Sequence, residues 1–354
     1  MQAWLCPNRS PVLHRRLSGR MAFFDCGASR RATLKQKFKF HLMTRNYGLI
    51  KPTGKLEGSD NRPIYLAKDR AQDPFGGPTS AYVFTNTNLG YSLNASLQVQ
   101  KLWESMSLML GYNYLDAKDA ASIDAEISSD AYERNPANVL NTNMAELTPS
   151  LYGNKHRVIG AFTKKFTFAD DRLATTVSLF AEYAQGGRFS FTYAGDINND
   201  GSGLNDLIYI PSDAQIDGMN FTGSNAATQK AAFKAYIAQD DYLTSRRGKY
   251  AEKYASLSPW YNHWDLRVLQ DIKVSTGNKF QISLDILNVG NLINSSWGVR
   301  QYATYTGLAQ PIAVSVTNNV PSYTFDLSQK NTYFDDFNLA SRWQMQVGLR
   351  YIFK

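Results

Sequence analysis

The residues best placed to do chemistry lie between Gly195 and Pro211, in a stretch reading GDINNDGSGLNDLIYIP. Asp196, Asn198, Asp200 and Gly201 fall at positions 1, 3, 5 and 6 of a calcium-binding loop. There, side-chain oxygens converge on one hard cation and glycine permits the sharp turn. Position 12 calls for a bidentate acid but holds Leu207; Asp206, one place early, is the candidate substitute. The same residues also fit an Asx/Gly-rich turn closed by side-chain-to-backbone bonds, and spacing alone leaves both readings open. A calcium ion here would be structural, stiffening an exposed loop.

Other chemistry is sparse. His14, His41, His156 and His263 are isolated, and no HExxH, CxxC, GxSxG, Walker or dinucleotide-binding pattern occurs. A Ser/His hydrolytic pair would have to draw on His156 or His263, and no serine motif accompanies either. The reading is of a protein that is not an enzyme, with no cofactor beyond that structural calcium.

The elements that carry these loops read as β-strands. In the closing stretch Ser341–Lys354, Trp343, Met345, Val347, Leu349, Tyr351 and Phe353 alternate with Arg342, Gln344, Gln346, Gly348 and Arg350. Successive strand residues point to opposite faces, so one face is apolar and the other polar. The same pattern predicts strands over 89–103, 106–114, 157–168, 173–183, 264–272 and 280–286. A less regular one is predicted near Lys37–Ile50, where Phe38, Phe40 and Leu42 alternate. Tight turns fall at Glu104-Ser105, Asp170-Asp171 and Ser275–Asn278, and long connections fall between them. Soluble sandwiches space their loops evenly, whereas outer-membrane barrels alternate short periplasmic turns with long extracellular loops. Strands of about 9–11 residues suit a tilted crossing. Trp103, Tyr112, Tyr114, Tyr183, Trp264, Trp343 and Tyr351 sit at strand ends as interface aromatics would. Within the longest loop, residues 226–238 predict a short helix, with Ala227, Ala231, Phe233 and Ile237 on one stripe and Thr222 or Ser224 as caps. Loop aromatics Tyr193, Tyr236, Trp260 and Tyr302 are either ligand-stacking or rim-packing residues.

Composition narrows the class. No run nears the 18 apolar residues of a membrane helix, and the mean hydropathy is −0.38, so any membrane crossing must use strands. The net charge of +8 is local. Ten Lys/Arg and one acid, Asp25, lie in residues 1–45, leaving the other 309 residues at −1. A basic head on a neutral body excludes a nucleic-acid-binding domain. Cys6 and Cys26 also lie in this head, which has no steady period and reads as foreign to the domain or disordered. The domain proper is expected over 46–354.

Several segments resemble the C-terminal barrel portion of TonB-dependent outer-membrane receptors, in the Oar-like branch with a carboxypeptidase-regulatory-like domain. They are Leu49–Gly54, Asp60–Tyr65, Thr85–Asn88 with Gly90–Ser92, Lys155–Arg157, Gly195–Pro211 and Arg247-Gly248. Pro259-Trp260 before Asp265–Arg267, Asp285–Asn288 with Asn291-Leu292, and Gln346–Tyr351 complete the set. Their order covers about 47–354. The resemblance implies part of a 22-stranded transmembrane antiparallel barrel in a Gram-negative-type outer membrane. It also implies substrate uptake, lipid as solvent, energy from the TonB system through an N-terminal plug, and barrel-assembly machinery engaging the last strand. The chain departs from the family in showing no plug, TonB box or signal peptide, about eight strands, and Lys354 after the final aromatic. The expectation is a truncated product, the last third of a receptor barrel behind an unrelated head. The alternatives are a standalone eight-stranded barrel with a structural or adhesin role, and a soluble β-sandwich binding carbohydrate through Tyr/Trp-rich loops.

Overall fold

A computed structural model describes residues 35–36, 41–122 and 125–353. The readings placed on Cys6, Asp25, Cys26, Phe38 and Phe40 lie outside these residues. The seven predicted wall strands become β1 (Gly90–Leu102), β2 (Met106–Asp119), β3 (His156–Phe168), β4 (Leu173–Ala184), β5 (Tyr261–Ser275), β6 (Asn278–Leu287) and β7 (Gln344–Ile352). They pair in chain order as one antiparallel sheet. Lys35–Gln36 pairs on the outer side of β1, with Lys35 opposite Leu93. His41–Asn46 pairs with Tyr82–Thr87 in the same register, His41 opposite Thr87. In that shared register the two described pieces count as an eighth strand, the first beside β1 and the second in a two-stranded sheet with Tyr82–Thr87. The body's pairing therefore starts before residue 46, inside the span read as head. Among the described residues the sheet does not close: β7 stands at one edge and Lys35–Gln36 at the other.

Most strands are longer than the expected 9–11 residues, β5 reaching 15. The surplus lies at the loop end, where β1 and β2 keep pairing up to Gly90 opposite Asp119. The three tight turns lie at the other end. Trp103 N–H donates to Met106 O at 2.8 Å and Arg172 N–H to Ala169 O at 3.0 Å, while Gly277 takes φ +90° to reverse β5 into β6. Residues 47–81, 120–155, 185–260 and 288–343 all emerge at the loop end, as an antiparallel meander requires.

Cross-strand register lines up one apolar face. Leu97 faces Tyr112 and Val99 faces Leu110, Leu108 continues to Phe162, and Phe162 to Leu179 and Leu266. Leu266 then leads through Ile286 to Met345. The opposite face carries Ser96 opposite Asn113, and Ser107, Thr163, Ser178, Arg267, Asp285 and Gln346 in register with one another. It is knitted by Thr163 to Ser178 (3.1 Å) and by ion pairs Arg157–Glu182 (2.8 Å), Arg267–Asp285 (2.9 Å) and Lys279–Asp271 (2.7 Å). It also forms a trough lined by Ser178, Asp265, Arg267 and Asp285.

The hydrophobic core lies elsewhere. Of the described buried apolar residues, only Ala184 and Ile286 belong to β1–β7. The large cluster is built by the long connections from Phe189, Phe191, Tyr193, Ile208, Ile210, Phe233, Ile312 and Phe325, among others. These segments, which the sequence marks chiefly as long connections, fold into a cap. Arg188–Ala194 pairs parallel with Leu308–Thr317, which pairs antiparallel with Val320–Phe325, and Ser256–Leu257 edges the sheet. The helix Ala226–Ala238 matches its predicted span, but its buried stripe is Gln229, Phe233, Tyr236 and Ile237. Phe233 and Tyr236 pack on Phe325 at 5.4 and 5.6 Å, which turns that side of the helix inward. Neither predicted cap serves: Asn225 is the N-cap, and Thr222 Oγ1 is spent on Tyr323 O.

Because its core is its own, the cap should lose stability independently of the wall. Phe191→Ala, at a site with no exposure, is expected to cost about 3–5 kcal/mol. Limited proteolysis should then cut within 185–260 and leave the seven wall strands intact by mass spectrometry.

Candidate functional site

The Asp196–Asp206 loop leaves the parallel strand Arg188–Ala194 through Gly195, whose φ of +129° and close approach to the Val314 carbonyl leave no room for a Cβ. Asp196 accepts N–H bonds from Asp200 (3.0 Å) and Gly201 (2.8 Å), Asn198 Oδ1 from Asp200 (2.9 Å), and Asp200 Oδ1 from Ser202 (2.9 Å). The side-chain-to-backbone turn is thus present. Gly201, at φ +95°, lets the chain pass Arg70. Beyond that turn, one carboxylate oxygen from each of Asp196, Asp200 and Asp206 comes within 4.8 Å of the others. Asp206 therefore does join Asp196 and Asp200, as its position one place early allowed. Asn198 is committed to the turn, its Oδ1 holding the Asp200 amide.

Three distant segments meet this loop. Arg62, with no side-chain exposure, reaches Asp206 at 3.2 Å, Asp60 at 2.9 Å and the Leu207 carbonyl at 2.6 Å. Tyr193 and Tyr250 donate to Asp60 at 3.1 and 3.0 Å. Tyr132, from the connection 120–155, donates to Asp200 Oδ2 at 3.0 Å. Asn46, at the end of the eighth strand, donates to the Asp200 carbonyl at 3.2 Å. Spacing within 195–211 gives no sign of Asp60, Arg62 or Tyr132. Arg62 is 144 residues from Asp206, and only a buried charge seeking a partner joins them.

The electrostatics follow from burial. Loss of water, added to the charge of Asp196, pushes Asp200 up to about 7. Burial also raises Asp196, and burial with the charge of Asp200 raises Asp206 well above the usual carboxylate range despite Arg62. Burial opposes charge on Arg62, but Asp60 and Asp206 outweigh it and hold the guanidinium charged. Tyr132 and Tyr193 are raised by burial and by Asp200 and Asp60 respectively, so both remain neutral donors. The arrangement can fix three loops together and can hold a hard cation with oxygen ligands.

Beside Asp60 a cavity of about 530 Å³ is lined by Glu57, Tyr193, Tyr209, Met219 and Tyr323. Of the aromatics read as stackers or rim residues, Tyr193 and Tyr236 are core. Trp260 is exposed and stacks on Tyr183 at 4.7 Å and His156 at 5.9 Å. Tyr302 packs on Tyr305 at 5.3 Å. His156 bonds Tyr112 at 2.8 Å through Nδ1, and His263 sits 2.6 Å from Asp265.

No family model matches the chain, and no curated protein matches it.

The network makes Arg62 the cap's most sensitive polar residue. Arg62→Ala strands Asp60 and Asp206 in the interior and is expected to destabilise the cap by about 3–5 kcal/mol. Arg62→Lys should recover only part of that in thermal unfolding, since an ammonium cannot fork between Asp60, Asp206 and a carbonyl.

Proposed function

We propose that this chain is part of the wall and extracellular cap of an outer-membrane receptor of the TonB-dependent kind. Its wall would face lipid with one side and a water-filled lumen with the other, and its cap would meet substrate outside. The observation that carries the reading is the uncovered apolar face. Among the described residues, most aliphatic side chains on this face of the seven paired strands are uncovered, Leu97, Leu110, Val347 and Leu349 being 49–74 % exposed and Ile286 the buried exception. Folded monomers in water rarely leave apolar patches beyond a few hundred Å² uncovered. A soluble sandwich would bury this face against a second sheet.

The dimensions suit a bilayer. On β4 Leu173 and Tyr183 are ten residues apart, about 33 Å along a strand and ~25 Å of height at a tilt of about 40°. Aromatics bracket that band. Tyr112, Tyr183, Trp264 and Trp343 lie towards the loop end, and Trp103, Phe168, Phe280 and Tyr351 towards the turn end. The wall's open edges favour a share of a larger barrel over a standalone eight-stranded one. Further strands would pair at β7 and at Lys35–Gln36. A plug coupling to the TonB system would sit against the trough face, and the Tyr351–Phe353 end of β7 would meet assembly machinery. The reading assigns no catalysis. Loops that fold round a core, with an aromatic cavity beside Asp60, support ligand recognition by the cap.

Paired arginine substitutions test this. Leu110→Arg, on the apolar face, should cost about 2–4 kcal/mol if that face meets lipid and should deplete the heat-modifiable, carbonate-resistant form in membranes. Gln98→Arg, on the polar face opposite Gly111, should leave that form unchanged. If Leu110→Arg is tolerated as well as Gln98→Arg, the face is in water and the proposal fails.

A further inference from the structure

We propose that Asp196, Asp200, Asp206 and the Asn205 carboxamide bind one divalent cation of the calcium type, which clamps three loops of the cap together. This goes beyond the membrane reading and does not depend on it. With all four ionised, the carboxylates of Asp60, Asp196, Asp200 and Asp206 share only the guanidiniums of Arg62 and Arg70 among the described residues. One divalent cation would cancel the remaining surplus of two negative charges.

Asn205 supplies the independent sign. It has no exposure, and its Oδ1 has no hydrogen-bond partner among the described residues. The same carboxamide points at the cluster, its Nδ2 3.4 Å from Asp200 Oδ2. With no cation, a carboxamide turns its N–H towards a carboxylate. With one, a half-turn of the group presents the oxygen as a ligand. The donor set is all oxygen, without histidine or cysteine, which selects a hard cation. Oxygens bound at about 2.4 Å to calcium lie up to ~4.8 Å apart across the ion, matching the observed spread within 4.8 Å. Each carboxylate already receives N–H or O–H donors, yet an ionised carboxylate has about four acceptor sites and keeps room for a metal.

The location gives the ion its role. Asp200 is held by Tyr132 from one connection and by Asn46 at the start of another, and Asp206 is held by Arg62 from that second connection. A cation at their centre would fix 47–81 and 120–155 to the 195–206 turn. It would order the cap where Asn46 joins it to the eighth strand.

The test uses the full chain in its folded form, titrated with Ca²⁺ and, in parallel, with Tb³⁺, whose luminescence Tyr132 would sensitise. Saturable binding at about 1 mM or tighter is expected, with saturating Ca²⁺ raising the thermal midpoint by about 5 °C over chelator. Asp196→Asn, at the most accessible of the three carboxylates, should weaken binding at least about tenfold while the chain stays folded, as should Asn205→Ala. Mg²⁺ at the same concentration should displace little Tb³⁺. Absence of saturable binding to the folded wild-type chain would overturn the proposal, and so would unchanged affinity in both variants.

Discussion

The placing of every long connection depends on a sheet whose neighbouring strands satisfy one another's backbone while, among the described residues, most of either face stays uncovered by protein. β1–β7 hydrogen-bond in sequence, so the N–H and C=O groups between neighbouring strands need no solvent, and only the open edges are left to pair further. Their side chains separate by the pleat into an apolar sheet surface and a polar one. In water such a wall would expose its costliest surface. In a bilayer, as proposed, lipid would replace the missing core, and further strands at the two open edges would complete the ladder. The polar face is settled among its own side chains, with Arg157, Arg267 and Lys279 each paired to a carboxylate on the same or an adjacent strand.

The cap solves the opposite problem. Its segments leave the wall at one end and must satisfy themselves, so they bury Phe189, Phe191, Phe233 and Phe325 around a short parallel and antiparallel sheet. Burying Arg62 among acids gives little net stability against an apolar alternative. What it gives is register: an uncompensated charge admits one arrangement of 47–81 against 195–207. Such a network suits loops that are long, drawn from distant parts of the chain and required to present one surface.

The wall was legible in the sequence because period-2 alternation with aromatic ends is a local signal, and six of the seven strands begin and end within three residues of where that signal placed them. β2 runs five residues further than its pattern, since Leu115–Asp119 loses the alternation while keeping its partners on β1. Of the cap's elements only the helix over 226–238 was legible. Arg188–Ala194 is buried on both faces, Ser190 and Thr192 included, so no polar face betrays it as a strand. Its parallel partner lies more than a hundred residues on, where no local pattern can specify it. The metal-like spacing at Asp196–Gly201 was visible, and the structure joins Asp206 to it. Arg62, Asp60 and Asn205 were not visible as site residues, because burial assigns their roles and spacing does not.

The central claim is that the apolar face of the wall meets lipid. Single cysteines placed along β4 from Leu173 to Ala184, with Cys6 and Cys26 replaced, can be spin-labelled in membranes bearing the chain. Their collision rates with oxygen and with a water-soluble nickel chelate then read each position's solvent. The account requires odd positions such as Val177, Leu179 and Ala181 to collide with oxygen, and even positions such as Thr176, Ser178 and Phe180 with the chelate, in a period of two. Odd positions open to the chelate, or shielded from both reagents by protein, would contradict it.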